Sequence, residues 1–254
     1  MIAGLLGIGG GMIMVPFLSI LFASYLFPPE LVLHMAIATS MTTILFTSIS
    51  SVYAQQKKKM IRWDIVIALS PGIIFGGIVG GGKIFTILKG PWLTVFFSSF
   101  QFFAAYQMVA NKKPKAARTL PGKLGLFSTG ALIGAVSSLV GAGGAFISVP
   151  FMIWCNVPIH QALATSSALG FPIAIASAVG YMIGGMNIPN LPAYSLGYIY
   201  LPAVLCISIA SMLTASIGVH IAHQLDAIQL RKMFAVVLVC IASYMLAKNV
   251  FQVI

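Results

Sequence analysis

Long apolar runs follow one another along the whole chain, separated by short polar or glycine-rich breaks. The runs are continuous and do not alternate apolar with polar residues, which favours helices over strands. A helix crosses a bilayer in about 20 residues, so most of these runs are long enough to span. After a short apolar start at 1–6, the pattern predicts helices over Met12–Tyr25, Met35–Gln55, Asp64–Gly82, Trp92–Asn111, Leu124–Val140, Phe146–Asn156, Gln161–Gly184, Tyr198–His223 and Asp226–Phe251.

The composition changes this picture from a helical protein to a helical membrane protein. Hydrophobic residues make up 59% of the chain and charged residues 7%, whereas soluble domains carry about a quarter charged residues. No Asp, Glu, Lys or Arg occurs between Leu124 and Leu225. The sequence therefore predicts an all-α polytopic membrane protein, with the lipid bilayer as its main partner.

The formal net charge is +11, and nine of the 14 basic residues are clustered in two loops. They lie in Lys57–Arg62 and Lys112–Lys123, between predicted helices. Such clusters are typical of cytoplasmic loops of inner-membrane proteins. We therefore predict that both loops are cytoplasmic, and we interpret the charge as a topology signal and not as nucleic-acid binding.

The chain contains two similar halves, 1–111 and 124–254, joined by the basic linker 112–123. In the first half, "GIGGGMIMVPF" begins at Gly7, and in the second half "GAGGAFISVPF" begins at Gly141. Downstream, "HMAIATS" from His34 is repeated as "HQALATS" from His160. Repeated halves in a membrane chain indicate a transporter.

The repeated glycine break predicts a binding site for an anion. Several glycines in a row interrupt a helix, and in lipid the freed N–H groups need a partner. A short helix that begins at the break would point its free N–H groups and partial positive charge inward. We expect Gly9–Gly11 and Gly143–Ala145 to approach an anion closely, because most of them lack a Cβ. By contrast, the glycines of "FGGIVGGG", from Phe75 to Gly82, indicate close helix packing.

The glycine break allows two membrane topologies for each half, and the sequence leaves both open. If the glycine break lies within a full crossing, eight crossings result and the repeats are parallel. If the break is the tip of a re-entrant hairpin, three crossings follow it in each half and the repeats are inverted.

The repeated Ala-Thr-Ser motif supplies neutral hydrogen-bond donors that would complete the site. These hydroxyls are on Thr39, Ser40, Thr165, Ser166 and Ser167. The repeated His34 and His160 are candidates for gating or for proton-linked transport. The alternative for the hydroxyls is a bond back to their own helix.

Cation transport, metal binding and catalysis are disfavoured because the chain lacks the residues that they need. Its three acids, Glu30, Asp64 and Asp226, are all near predicted helix ends, which argues against a buried proton or cation relay. His220 and His223 have no companion Cys or carboxylate, so no metal site is predicted. The helices carry no nucleophile motif, and we expect neither a cofactor nor an enzyme.

The two motif sets together resemble the sulfite exporter TauE/SafE family of bacterial and archaeal membrane proteins. Matching glycines are Gly7, Gly9, Gly10, Gly11, Gly141, Gly143 and Gly144, whereas Ala145 stands where the first half has Gly11. The resemblance implies a multi-pass permease, with about eight membrane segments, that exports sulfite, sulfoacetate or other organosulfonates. Uptake of a thiosulfate-like or sulfate-like anion and a non-transporting scaffold subunit are the alternatives, and a homo-oligomer is left open.

Overall fold

The computed structural model describes residues 11–25, 27–57, 59–110, 119–222 (backbone only for 212–222) and 235–247. The predicted all-α class is confirmed, and the predicted segments correspond to helices with shifts of a few residues at most ends. The helices are α1 (Gly11–Ser24), α2 (Pro29–Lys57), α3 (Trp63–Ile87), α4 (Gly90–Ala110), α5 (Lys123–Val140), α6 (Ala145–Trp154), α7 (Ile159–Gly185), α8 (Leu201–Ala222) and α9 (Ala235–Ala247).

Helices α2, α3, α5 and α7 are long and apolar enough to cross a membrane by length and composition. Helices α1 and α6, with 14 and 10 residues, are shorter. Large apolar side chains face outward, among them Ile67, Trp92 and Leu132, which are 69%, 69% and 57% exposed. Exposed apolar side chains of this size are what a lipid-facing surface requires.

Helix α3 packs closely against α5, and glycines on α3 make the approach possible. A Cβ on Gly72 would overlap the carbonyl oxygen of Phe127, and one on Gly76 would overlap that of Ala131. Each step of four residues along α3 is matched by four along α5, so the two helices run parallel. The predicted packing role of the glycine run is confirmed at Gly76.

Helix α3 also runs parallel to α7 in the same manner. A Cβ on Gly77 would lie 2.8 Å from Cβ of Ala176, and farther along both helices a Cβ on Gly184 would lie 2.9 Å from Cγ2 of Thr86. At this contact α3 contains a π-helical turn, Gly80–Ile84. Because α5 and α7 are both parallel to α3, they run in the same direction as each other.

The chain reverses direction between α5 and α6. Helix α6 lies antiparallel to α7, because Ser148 contacts Ser166 while the earlier Gly144 lies beside the later Ile173. Since α5 and α7 are parallel, α6 must run against α5. The second glycine break is therefore the tip of a helical hairpin and not a bend within one crossing.

Helices α2 and α7 occupy the centre of the bundle and run antiparallel. Ser48 of α2 lies beside Gly170 of α7. Earlier in α2, Thr39 contacts Tyr200, which follows the end of α7. At the other end, Thr165 near the start of α7 contacts Arg62, which follows the end of α2.

A short β-hairpin between α7 and α8 is the element that the apolar pattern did not predict. Strand β1 (Ser195–Leu196) pairs antiparallel with β2 (Ile199–Tyr200). Tyr198 at its tip is 2% exposed and stacks on His34 of α2, with ring centroids 5.3 Å apart. Two-residue strands are too short to show a hydrophobic period, so only their packing reveals them.

Candidate functional site

The second glycine break contains two residues in the left-handed backbone conformation, which alanine would adopt only with strain. Gly141 has φ +66° and ends α5, donating its N–H to the carbonyl oxygen of Ser137 at 2.9 Å. Gly144 has φ +76° and is the N-cap of α6. A left-handed conformation costs a residue with a Cβ about 1–2 kcal/mol, which explains why glycine occupies both positions.

Helix α6 begins with free N–H groups near mid-height of the bundle. Its first helical hydrogen bonds run from the N–H groups of Ile147 and Ser148 to the carbonyl oxygen of Gly144, at 3.1 and 2.9 Å. The N–H groups before Ile147 therefore have no acceptor within the helix. Gly143 lies against Gly170 and Ile44, which are close to the midpoints of α7 and α2.

The start of α1 meets this break from the opposite side. A Cβ on Gly11 would overlap the carbonyl oxygen of Gly141 and lie 3.2 Å from Ile44. Helix α1 then runs antiparallel to α2, since Ser40 bonds to Gly11 while Phe27, just before α2, bonds to Phe22. From this contact, the described part of α1 and helix α6 run in opposite directions. Gly9 and Gly10 of the predicted site lie outside the described residues.

Small hydroxyl side chains surround the meeting point, and all are buried. Ser166 and Ser148 share a hydrogen bond of 2.8 Å. Ser40 donates to the carbonyl oxygen of Gly11 at 3.3 Å. The predicted residues Gly143, Gly144 and Ala145 are likewise buried. These buried residues offer hydroxyl and peptide groups, and none of them carries a charged side chain.

The two threonines of the repeated motif join the two halves of the chain. Thr165 of the second half accepts a hydrogen bond of 3.0 Å from the N–H of Arg62, immediately before α3 of the first half. Thr39 of the first half accepts one of 3.1 Å from the N–H of Tyr200, immediately before α8 of the second half. Both threonines are 0% exposed. Each hydroxyl keeps its own hydrogen available as a donor.

Thr165→Val is expected to lower the free energy of unfolding by about 1–2 kcal/mol, because it leaves the buried N–H of Arg62 without an acceptor. Thr165→Ser keeps the oxygen and is expected to lose less than half of that. Denaturant titration in detergent measures both. The matched control is Ser167→Ala, because the Ser167 hydroxyl bonds back to Leu163 of its own helix at 3.0 Å. A valine variant as stable as this control would contradict the assignment.

The repeated histidines occupy different environments. His34 is 4% exposed, and its Nε2 lies 2.9 Å from the carbonyl oxygen of Leu88 while its Nδ1 lies 3.2 Å from that of Glu30. It therefore fastens the start of α2 to the end of α3. His160 is exposed at the start of α7. The structure brings neither imidazole into the cluster around Gly144.

Several buried polar residues near the breaks were not predicted from the sequence. Gln101 of α4 donates from Nε2 to the carbonyl oxygen of Met12, in the first turn of α1, at 3.0 Å. The Ser137 hydroxyl would be 3.2 Å from a Cβ on Gly144. Ser148 partners Ser166. An amide within the apolar run 92–111 was a signal that could have identified Gln101, because polar residues inside membrane helices are rare and functional.

The acids that the structure describes lie away from this cluster, as the sequence predicted. Glu30 is exposed at the start of α2. Asp64 is 59% exposed and accepts from the Arg62 guanidinium at 2.6 Å. This hydrogen bond raises the pKa of Arg62 above its ordinary value. An anion at the breaks would therefore meet no fixed negative charge from either residue.

Comparisons with known proteins agree with the helical membrane architecture. A family model described as "Sulfite exporter TauE/SafE" matches residues 1–245. A "Probable membrane transporter protein" of Haemophilus influenzae is 33% identical over 247 residues, covering 97% of this chain and 94% of that protein. A "Probable membrane transporter protein" of Methanocaldococcus jannaschii is 24% identical over 96% of this chain and 90% of its own length. No solved structure matches the chain significantly.

Proposed function

This chain belongs to the sulfite exporter TauE/SafE family of membrane transporters, and from that premise we propose that it exports a small sulfur-containing anion, sulfite or an organosulfonate. The anion binds where α1 and α6 begin. Peptide N–H groups of Gly9–Gly11 and Gly143–Ala145 hold it. Of the predicted hydroxyls, those of Ser40 and Ser166 contact the two short helices and complete the site. Thr39 and Thr165 lie toward opposite ends of α7, and the Ser167 hydroxyl bonds back to its own helix.

The observation that carries this proposal is the geometry of the second break. At Gly144 the chain turns and α6 starts with N–H groups that have no acceptor within the helix. An unsatisfied N–H in a membrane interior costs several kcal/mol, so a ligand that accepts from these groups relieves a large penalty. The helix dipole adds a partial positive charge at the same point. Tetrahedral oxyanions offer several acceptor oxygens to such a cradle.

The direction of the helices supports inverted repeats for this transporter. Helices α2 and α7 carry the same Ala-Thr-Ser motif, yet they run antiparallel. Equivalent helices run antiparallel when a twofold axis in the membrane plane relates the halves. One short helix then reaches the centre from each face, and rocking of the halves would expose the centre alternately to the two sides.

The placement of basic residues supports a cytoplasmic assignment for one end of the bundle. Lys57 ends α2, and Lys59 and Arg62 lie between α2 and α3. Lys123 begins α5, which runs parallel to α3 and starts at the same end. Arg62 and Lys123 therefore lie at one end of the bundle, and the positive-inside rule favours the cytoplasm for that end.

Export requires no buried acid for coupling. A membrane potential of 100 mV is worth about 2.3 kcal/mol per charge. An interior-negative cell drives a monoanion outward with that energy and a dianion with about twice as much.

Gly143→Ala tests the proposal with a substitution that the fold tolerates. A Cβ there would lie 3.7 Å from Ile44, which is ordinary contact, and the φ of Gly143 is not positive. If the anion approaches this peptide group, the new methyl group occupies its place. We expect sulfite efflux from proteoliposomes to fall about tenfold or more, a loss of about 1.4 kcal/mol, with an unchanged melting temperature.

Gly170→Ala is the matched control, because its Cβ would meet nothing closer than 3.8 Å and would still lie beside Gly143. We expect this variant to transport like the wild type. Wild-type efflux by Gly143→Ala would remove the second break from the site. Sulfite uptake by oriented vesicles without efflux would instead reverse the proposed direction.

A further inference from the structure

Two buried polar side chains of α4 have atoms that no neighbour satisfies. Gln101 and Ser98 are both 0% exposed. Within the described part of the chain, no hydrogen-bond partner lies near Gln101 Oε1 or Ser98 Oγ. The two residues are three positions apart in a helix and so lie on one face. Unsatisfied polar atoms in a membrane interior are costly and indicate a function.

Ser98 lacks the local hydrogen bond that several other serines in these helices make, a state it shares with Ser137, Ser177 and Ser208. The hydroxyls of Ser48, Ser70 and Ser138 donate to carbonyl oxygens of their own helices, at 2.9, 2.6 and 2.7 Å. That local bond is the ordinary way to satisfy a serine in an apolar helix. Ser98 does not make it, which leaves its hydroxyl available to a ligand.

The orientation of the Gln101 amide is fixed by its other end. Its Nε2 donates to the carbonyl oxygen of Met12 at 3.0 Å. Turning the amide over would set two acceptors against each other. Among the described residues Oε1 therefore has no partner, and as a carbonyl oxygen it can only accept a hydrogen bond.

The position of this amide is beside the proposed anion site. Met12 is the second residue of α1, next to Gly11, which touches Gly141 of the second break. One residue before the amide, Phe100 contacts Phe146, the second residue of α6, with ring centroids 6.3 Å apart. Helix α4 therefore touches the first turn of both short helices.

We propose that Gln101, with Ser98, determines the specificity of this site for anions that carry their own hydrogen-bond donor. This inference rests on the proposed function. The helix starts supply donors for the anionic group, and Gln101 Oε1 supplies an acceptor for an O–H or N–H elsewhere on the same molecule. The chemical class is a hydroxysulfonate, an aminosulfonate or a singly protonated oxyanion. An anion without a donor leaves Oε1 unsatisfied and binds less well.

Two sulfonates of nearly equal size separate these classes. Labelled 2-hydroxyethanesulfonate carries a terminal O–H, and propane-1-sulfonate carries a methyl group in the same place. Counterflow into proteoliposomes preloaded with the same anion measures each rate independently of the direction of physiological transport. For the wild type we expect the hydroxysulfonate to exchange about tenfold faster or more, because a buried acceptor discriminates against a ligand that cannot donate.

The Gln101→Leu variant is expected to abolish this preference by slowing the hydroxysulfonate alone, and Ser98→Ala to reduce it. Gln107→Leu is the matched control, since Gln107 is a partly exposed amide of the same helix and its loss should leave the preference unchanged. Equal wild-type rates for the two sulfonates, or a Gln101→Leu variant that folds and keeps the preference, would overturn the inference. The wild-type ratio decides even where the variant does not fold.

Labelled sulfite in the same wild-type vesicles separates this inference from the proposed function. Sulfite exchange with equal sulfonate rates, or with no sulfonate exchange, overturns only the specificity assigned to Gln101. Absence of exchange for all three anions overturns both proposals.

Discussion

Gly76→Ala is expected to destabilise the protein by about 3 kcal/mol, although alanine is the better helix former by ~1 kcal/mol. Its Cβ would overlap the carbonyl oxygen of Ala131 and lie 2.7 Å from the carbonyl carbon. Both atoms belong to the backbone of α5, so no side chain can move aside. Relief requires α3 and α5 to separate, and the contacts along their whole interface weaken. Denaturant titration of the purified protein in detergent measures the loss.

Gly82→Ala is the matched control in the same glycine run. Its Cβ would lie 3.5 Å from the nearest atom, the carbonyl oxygen of Gly180. We expect unchanged stability or a small gain. If Gly76→Ala were as stable as Gly82→Ala, the close parallel packing of α3 on α5 would be wrong.

Gly11→Ala is expected to reduce transport by about tenfold or more, because it separates the two helix starts that form the proposed site. The new Cβ would overlap the carbonyl oxygen of Gly141 and lie 3.1 Å from the carbonyl carbon. A shift of about 1 Å is enough to disturb hydrogen bonds from both helices to one anion. Efflux per folded protein, with folding followed by melting temperature, is the measurement.

Ala145→Gly is the counterpart in the second half, since Ala145 begins α6 as Gly11 begins α1. Removing this methyl group creates no overlap, and we expect transport to continue. Wild-type efflux by Gly11→Ala would show that the contact between Gly11 and Gly141 is not needed for transport.

The positions of the helices could be predicted from sequence because the bilayer imposes a simple rule. A membrane helix must be apolar over most of its length and must satisfy its own backbone. The predicted Leu124–Val140 and Gln161–Gly184 differ from α5 and α7 by at most two residues at either end. The predicted break at Gly141–Gly144 is confirmed, whereas the first break, at Gly7–Gly10, lies outside the described residues.

The partners of the polar side chains could not be predicted in the same way. Thr39 and Thr165 were identified as paired, yet their hydrogen bonds to Tyr200 and Arg62 span 161 and 103 residues. Gln101 was missed because its partner, Met12, is 89 residues away. Hydrogen bonds depend on direction and distance, which residue types and spacing do not specify across helices.

By itself the sequence determined that this protein is helical, lies in a membrane and is interrupted by glycine after Val140, because composition and periodicity respond directly to the solvent around each segment. The duplication of the two halves stays a prediction. Only the tertiary structure decided that the chain turns back at Gly144 and that α2 and α7 run antiparallel. The hydrophobic pattern of a helix is the same whichever direction the helix crosses the membrane. Helix direction is therefore decided by close packing of backbones, at contacts such as Gly76 with Ala131.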